Sequence, residues 1–90
     1  MNIYLLDGKD MTSSETAYRI IEETLEFPEW FGHNLDALAD CLSDLDADDT
    51  AIVFVNTDAL TENIGQYGNR MLDCFREISD EYGITWIEKA

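Results

Sequence analysis

Asp36 and Asp40 are the residues whose type and spacing first invite a chemical reading. They stand four apart in the run Asn34-Leu35-Asp36-Ala37-Leu38-Ala39-Asp40-Cys41-Leu42, so on a helix both carboxylates share one face. Leu35, Leu38 and Leu42 recur at helical spacing and mark an apolar stripe. At about 100° per residue, the mean direction of the two acids is roughly 145° from that of the leucines. The helix is therefore predicted to bury its leucines and present two carboxylates to water. Like charges at this spacing cost an isolated helix about 0.2–0.5 kcal/mol. Asp36 regains part of that from the helix dipole in the first turn, and Asp40 is too far along to do so. Local stability does not ask for the pair. Paired carboxylates can perform acid–base chemistry, as in glycoside hydrolysis, or grip the basic groups of a phosphate-binding cleft, or serve only as a solvated face. Catalysis needs a concave pocket, which two acids on one exposed helix do not supply, and a single histidine builds no nucleophilic triad. No catalytic residue is assigned.

The elements that must position this pair are legible. Pro28-Glu29-Trp30-Phe31-Gly32-His33 reads as a tight turn feeding the helix. Gly32 is expected to take a positive φ at the bend, and Asn34 to cap the helix with its side-chain oxygen. Trp30 and Phe31 set two large aromatics beside that glycine, and His33 reads as an exposed loop residue without a role. Upstream, Asn2–Leu6 is a short strand ended by Asp7-Gly8. Thr12-Ser13-Ser14-Glu15 fits a capping box, with Ala17, Ile20, Ile21, Thr24 and Leu25 as the core stripe of a helix that Phe27-Pro28 ends. Downstream, Thr50–Asn56 is a nearly continuous apolar run that suits a central strand buried on both faces. Residues 57–68 read as a short helical turn near 61–64 and a loop through Gly65 and Gly68. A helix from Asn69 follows, with Met71, Phe75, Ile78 and Tyr82 at helical spacing, Leu72 beside them and Gly83 as its stop, and Ile84–Glu88 is the last strand. Strands alternating with helices predict an α/β fold, a small parallel sheet assembled by right-handed crossovers.

Composition narrows the function classes. Ninety residues make one small domain, 1–90. Twenty acids against five bases give a net charge of −15, which repels nucleic acid and anionic membranes and favours a basic protein as partner. Cys41 and Cys74 form no CxxC pair and join no histidine cluster, so no zinc site is expected. The acidic loop Ser43–Asp49 has acids at alternate positions, but Asp49 and Val55 stand where a calcium loop starting at Asp44 needs glycine and glutamate. No metal or cofactor is expected. The N-terminus has no basic segment before a long apolar run, which points to the cytoplasm and reduced thiols.

The words of the run from Pro28 to Leu42, Pro-Glu-aromatic-aromatic-Gly and then Asn-Leu-Asp-Ala-Leu…Asp-Cys-Leu, closely resemble the barstar family, intracellular inhibitors of the secreted ribonuclease barnase. Chain length, the opening strand and a late Phe75-Arg76-Glu77 on a helix extend the resemblance over the whole sequence. The resemblance implies a three-stranded parallel sheet covered by about four helices. It implies that Asp36 and Asp40 are the central interface acids, with Asp40 the deeper anchor, and that Trp30 packs on the enzyme's catalytic histidine. Phe31, Gly32 and Asn34 would border the enzyme, and Glu77 would form a second, more peripheral acid site. Ala39 stands where the family has a tryptophan, His33 stands at an acidic position, and the loop after Leu42 is Asp-rich rather than aromatic. These departures change the rim and point to a cognate nuclease other than barnase. The expected partner is a basic secreted or delivered ribonuclease or nuclease toxin, bound one-to-one by an inhibitor that is monomeric when free. The alternative is a generic acidic adaptor with no nuclease partner.

Overall fold

A computed structural model describes residues 1–90. In chain order the elements are β1 (Asn2–Asp7), α1 (Ser14–Thr24), α2 (Leu35–Ser43), β2 (Thr50–Val55), α3 (Thr57–Ile64), α4 (Gln66–Tyr82) and β3 (Thr85–Glu88). Short 3-10 turns at Gly8–Asp10 and Ala47–Asp49 follow β1 and precede β2. The sheet order is β1-β2-β3 and both pairings are parallel, with Tyr4 level with Ile52 and Trp86, and Leu5 level with Val53 and Ile87. The α/β architecture of three parallel strands and four helices agrees with the expectation from sequence.

The order of the strands decides where the helices go. Both crossovers step the same way along the sheet, and right-handed crossovers that do so lay their helices on one face. On that face Leu6, Ile52 and Phe54 are buried with Tyr18, Leu38, Leu42, Met71 and Phe75 in one hydrophobic cluster. The other face stays open: Ile3, Leu5 and Ile87 are 70%, 62% and 47% exposed. The expectation that β2 is buried on both faces therefore needs correcting. Val53 and Val55 are only partly covered, and that cover comes from the flanking strands rather than from a second layer of helices. No helix is long and apolar enough to cross a membrane.

Several boundaries move for local reasons. Ser13, not Thr12, caps α1, its hydroxyl accepting from Thr16 N–H at 3.1 Å. The helix ends at Thr24, ahead of Pro28, because Glu26 takes a left-handed conformation (φ +57°) and Phe27 N–H donates back to Glu22 O at 3.0 Å. The segment read as a turn and loop over 57–68 is instead the whole of α3 and the start of α4, broken only at Gly65 (φ +65°). Gly68 lies inside α4, where a Cβ would stand 3.1 Å from the Leu60 carbonyl oxygen, so its lack of a side chain lets α3 and α4 meet. Gly8 allows a still closer approach, of the turn after β1 to the start of α3, since a Cβ there would lie on the Asn56 carbonyl.

Arg76 fastens α4 to β3. Its Nε and Nη2 donate to both oxygens of Glu88 at 2.8 and 2.6 Å, while Nη1 reaches Asp73 at 3.1 Å and Trp86 Nε1 donates to Glu88 at 2.6 Å. These bonds hold the Glu88 carboxyl down at about 2, against an ordinary 4.5. The native carboxylate binds its proton more weakly than the unfolded one, so its stabilisation is complete above about pH 4.5 and is lost as pH falls towards 2. The pair keeps water contact, so its worth is about 1 kcal/mol or less. Thermal melts from pH 6 to 2 are expected to show the midpoint falling through that window, with a smaller fall in Glu88→Gln.

Candidate functional site

The site is built on α2. Leu38, Cys41 and Leu42 are buried, Leu35 is half-buried, and Asp36 and Asp40 are exposed, so the leucine stripe faces the core and the acids face water. Asn34 caps the helix as expected, its Oδ1 accepting from Ala37 N–H at 2.8 Å. Gly32 does not take a positive φ. What it provides is close approach, because a Cβ there would press to 3.1 Å on the Asn34 side-chain amide that forms the cap.

The turn before α2 is held by rings. Phe31 is 5% exposed and packs on Phe27 and Tyr18 with centroid separations of 5.1 and 6.0 Å, so it anchors the turn in the core rather than offering a contact surface. His33 has a definite place. It stacks on Tyr18 at 5.7 Å and sits between Glu15 (3.2 Å) and Glu22 (3.7 Å) of α1, tying the loop to that helix. The Tyr18 hydroxyl bonds to that of Tyr67, and burial with this bond pushes its pKa up. Trp30 is the opposite of Phe31, 74% exposed. The fold thus separates the adjacent aromatics into one anchor and one displayed ring.

Two hollows flank the acidic ridge. One, of about 290 Å³, lies between α2 and α4 and brings Glu77, Asp73 and Arg70 beside Asp36 and Ala39. Cys74 lines it as well, its Sγ 3.9 Å from the Leu35 carbonyl oxygen, and burial raises the thiol to about 11. Cys41 is likewise raised by burial, so neither thiol is a reactive thiolate near neutral pH. The other hollow, of about 190 Å³, lies beside Trp30 at the far end of α2 and includes Asp44. Asp44 is the C-cap of α2 and continues the four-residue spacing of Asp36 and Asp40, so three carboxylates run along one side of the helix. From sequence Asp44 reads as part of the loop, although its unbroken spacing of four from Asp40 is the signal that places it on this side of the helix. Asp73 and Arg70 carried no such signal, because only the packing of α4 on α2 brings them to Asp36.

Together these features are a carboxylate ridge, a displayed indole and a second acid-bearing helix. Residues 1–88 match the family model described as "Barstar (barnase inhibitor)". The chain belongs to the barstar family. A curated relative from Bacillus subtilis (strain 168), named "Putative ribonuclease inhibitor YrdF", is 30% identical over 81 residues, spanning 90% of this chain and 89% of that protein. As a barstar-family member the protein is, at the family level, an inhibitor of a barnase-type ribonuclease.

The cap on α2 is the local device that sets the pitch of the ridge. Asn34→Ala is expected to lower stability by about 1 kcal/mol, read from urea unfolding, by removing the one side-chain acceptor for the free N–H groups of the first turn.

Proposed function

We infer that this protein is an immunity-type inhibitor that plugs the active site of a basic ribonuclease or related nuclease toxin, one inhibitor to one enzyme, in the cytoplasm of the cell that makes or meets the toxin. A nuclease cleft must bind phosphate and is therefore lined with Arg, Lys or His. Asp36 and Asp40 would occupy phosphate positions there, because charge-assisted bonds from Arg to a carboxylate are strong and can be bidentate. The observation that carries this reading is that α2 turns both carboxylates outward while its leucines are buried, with Glu77 bordering the same hollow as Asp36. Trp30 supplies the exposed aromatic that a hot-spot cluster needs beside its charges. Asn34 and Gly32 fix the angle at which the helix enters the cleft, and Phe31 holds their turn. Desolvating two carboxylates is costly, so the fit must supply partners for each. The role is binding rather than catalysis, and it uses no cofactor.

The charge of −15 adds a long-range field that speeds encounter with a basic enzyme and fades with salt. A generic acidic adaptor would share that field but would spread its energy over many acids.

Calorimetric titration against barnase-type ribonucleases, with RNA cleavage scored in parallel, tests the reading. One-to-one binding with loss of cleavage is expected, weakening as salt rises. Asp40→Ala should cost at least about 2 kcal/mol, the threshold of a hot spot, whereas Asp46→Ala in the acidic loop should cost a few tenths. Equal losses from the two substitutions would remove the phosphate-site reading in favour of the adaptor.

A further inference from the structure

We propose that the hollow beside Trp30 is a subsite for an arginine side chain on the rim of the partner protein. The hollow lies where the turn after α1 meets the C-terminal end of α2. Leu25, Phe27, Pro28 and Leu45 give it apolar walls, and the exposed Trp30 borders it. Its only charged residues are Glu26 and Asp44, both negative.

Both acids sit where the local backbone disfavours them. Glu26 occupies the left-handed region (φ +57°) at the end of α1, a position that favours glycine. Asp44 caps the C-terminus of α2, where the free carbonyls already carry negative partial charge and a base or a neutral residue is the stable choice. Two acidic residues set against local preference around one apolar hollow match the two parts of a single ligand, an aliphatic stem and a cationic head. A purely apolar anchor would strip water from both acids and leave them unpaired. Arginine suits the site better than lysine. Its planar guanidinium can stack on an indole face, and its five donors can serve two carboxylates at once, whereas an ammonium is a compact, strongly hydrated point charge.

The subsite is continuous with the proposed interface. Asp44 follows Asp40 by one helical turn, and Trp30 borders the hollow while belonging to the contact set. The proposal rests on the inhibitor reading for the identity of the occupant, and it adds a specificity element: this chain selects enzymes that place an arginine beside the active-site mouth.

The test uses the whole protein and needs no nuclease. The chain is titrated with n-butylguanidinium and, separately, with its neutral isostere n-butylurea, following the two indole N–H signals by NMR. Trp86, whose Nε1 is bonded to Glu88, is the internal control. The Trp30 signal is expected to shift saturably with butylguanidinium while Trp86 stays still, butylurea should bind at least fivefold more weakly, and Asp44→Asn should lose at least threefold in guanidinium affinity. That variant should melt no lower than the parent, since it removes an acid from the negative end of α2, so lost affinity cannot be lost fold. An unmoved Trp30, equal responses to both probes, or undiminished binding by Asp44→Asn overturns the subsite. Ribonuclease inhibition that depends on Asp40 beside a silent Trp30 would overturn the subsite alone. A responsive Trp30 in a protein that binds no ribonuclease would support the subsite and remove the enzyme as its occupant.

Discussion

The two-sidedness of α2 decides where the acids of this molecule point. Its leucine side is buried against the layer that includes α4 and the inner face of the sheet, and that burial fixes the helix about its own axis. Once Leu38 and Leu42 are inside, Asp36 and Asp40 have nowhere to point except outward. The rotation of a nine-residue helix is thus set by apolar contacts worth several kcal/mol, against which the repulsion of an i, i+4 acid pair, a few tenths, is minor. The carboxylates need not stabilise the fold; they are carried by it.

A second constraint is the turn from Glu26 to Asn34. It must reverse the chain between two helices and still deliver a capped N-terminus. It does so by burying Phe31, stacking His33 on Tyr18, and keeping residue 32 small enough to leave the cap intact. With the turn pinned at those points, Trp30 can be left in water without loosening the loop. The ring keeps its contact with water, as do the carboxylates along α2, while Phe31 beside it is buried. The core beneath them holds the fold together, with the Arg76–Glu88 pair as a fastening between α4 and β3.

The topology also explains an asymmetry. With strands in the order 1-2-3 and both crossovers on one side, the chain has one helical face and one bare sheet face. A doubly covered parallel sheet would need one crossover to step the other way, as in the order 2-1-3, and this chain does not take that order. The apolar run of β2 reads as doubly buried because a central strand needs such residues in either case: Val53 is shielded by its neighbours Leu5 and Ile87 even where no helix lies above it.

How much was legible divides along physical lines. The sequence by itself determined what depends on short range. Apolar runs and helical periodicity marked the strands and most of the helices, Asn34 set the start of α2, Gly83 set the end of α4, and the spacing of Asp36 and Asp40 opposite the leucines set the acidic face. Where a short-range rule had a rival, it failed. Phe27-Pro28 reads as the end of α1, but Glu26 in a left-handed conformation ends it earlier, and Gly68 reads as a loop residue because nothing local announces that α3 lies against it. Only the tertiary structure decided which of two adjacent aromatics is anchor and which is displayed, that His33 bridges to α1, that Glu77, Asp73 and Arg70 gather beside Asp36, and that Glu26 and Asp44 share an apolar hollow with Trp30. Those relations join residues far apart in the chain. They arise from how helices pack across the core, and periodicity within one segment carries no information about its neighbour in space.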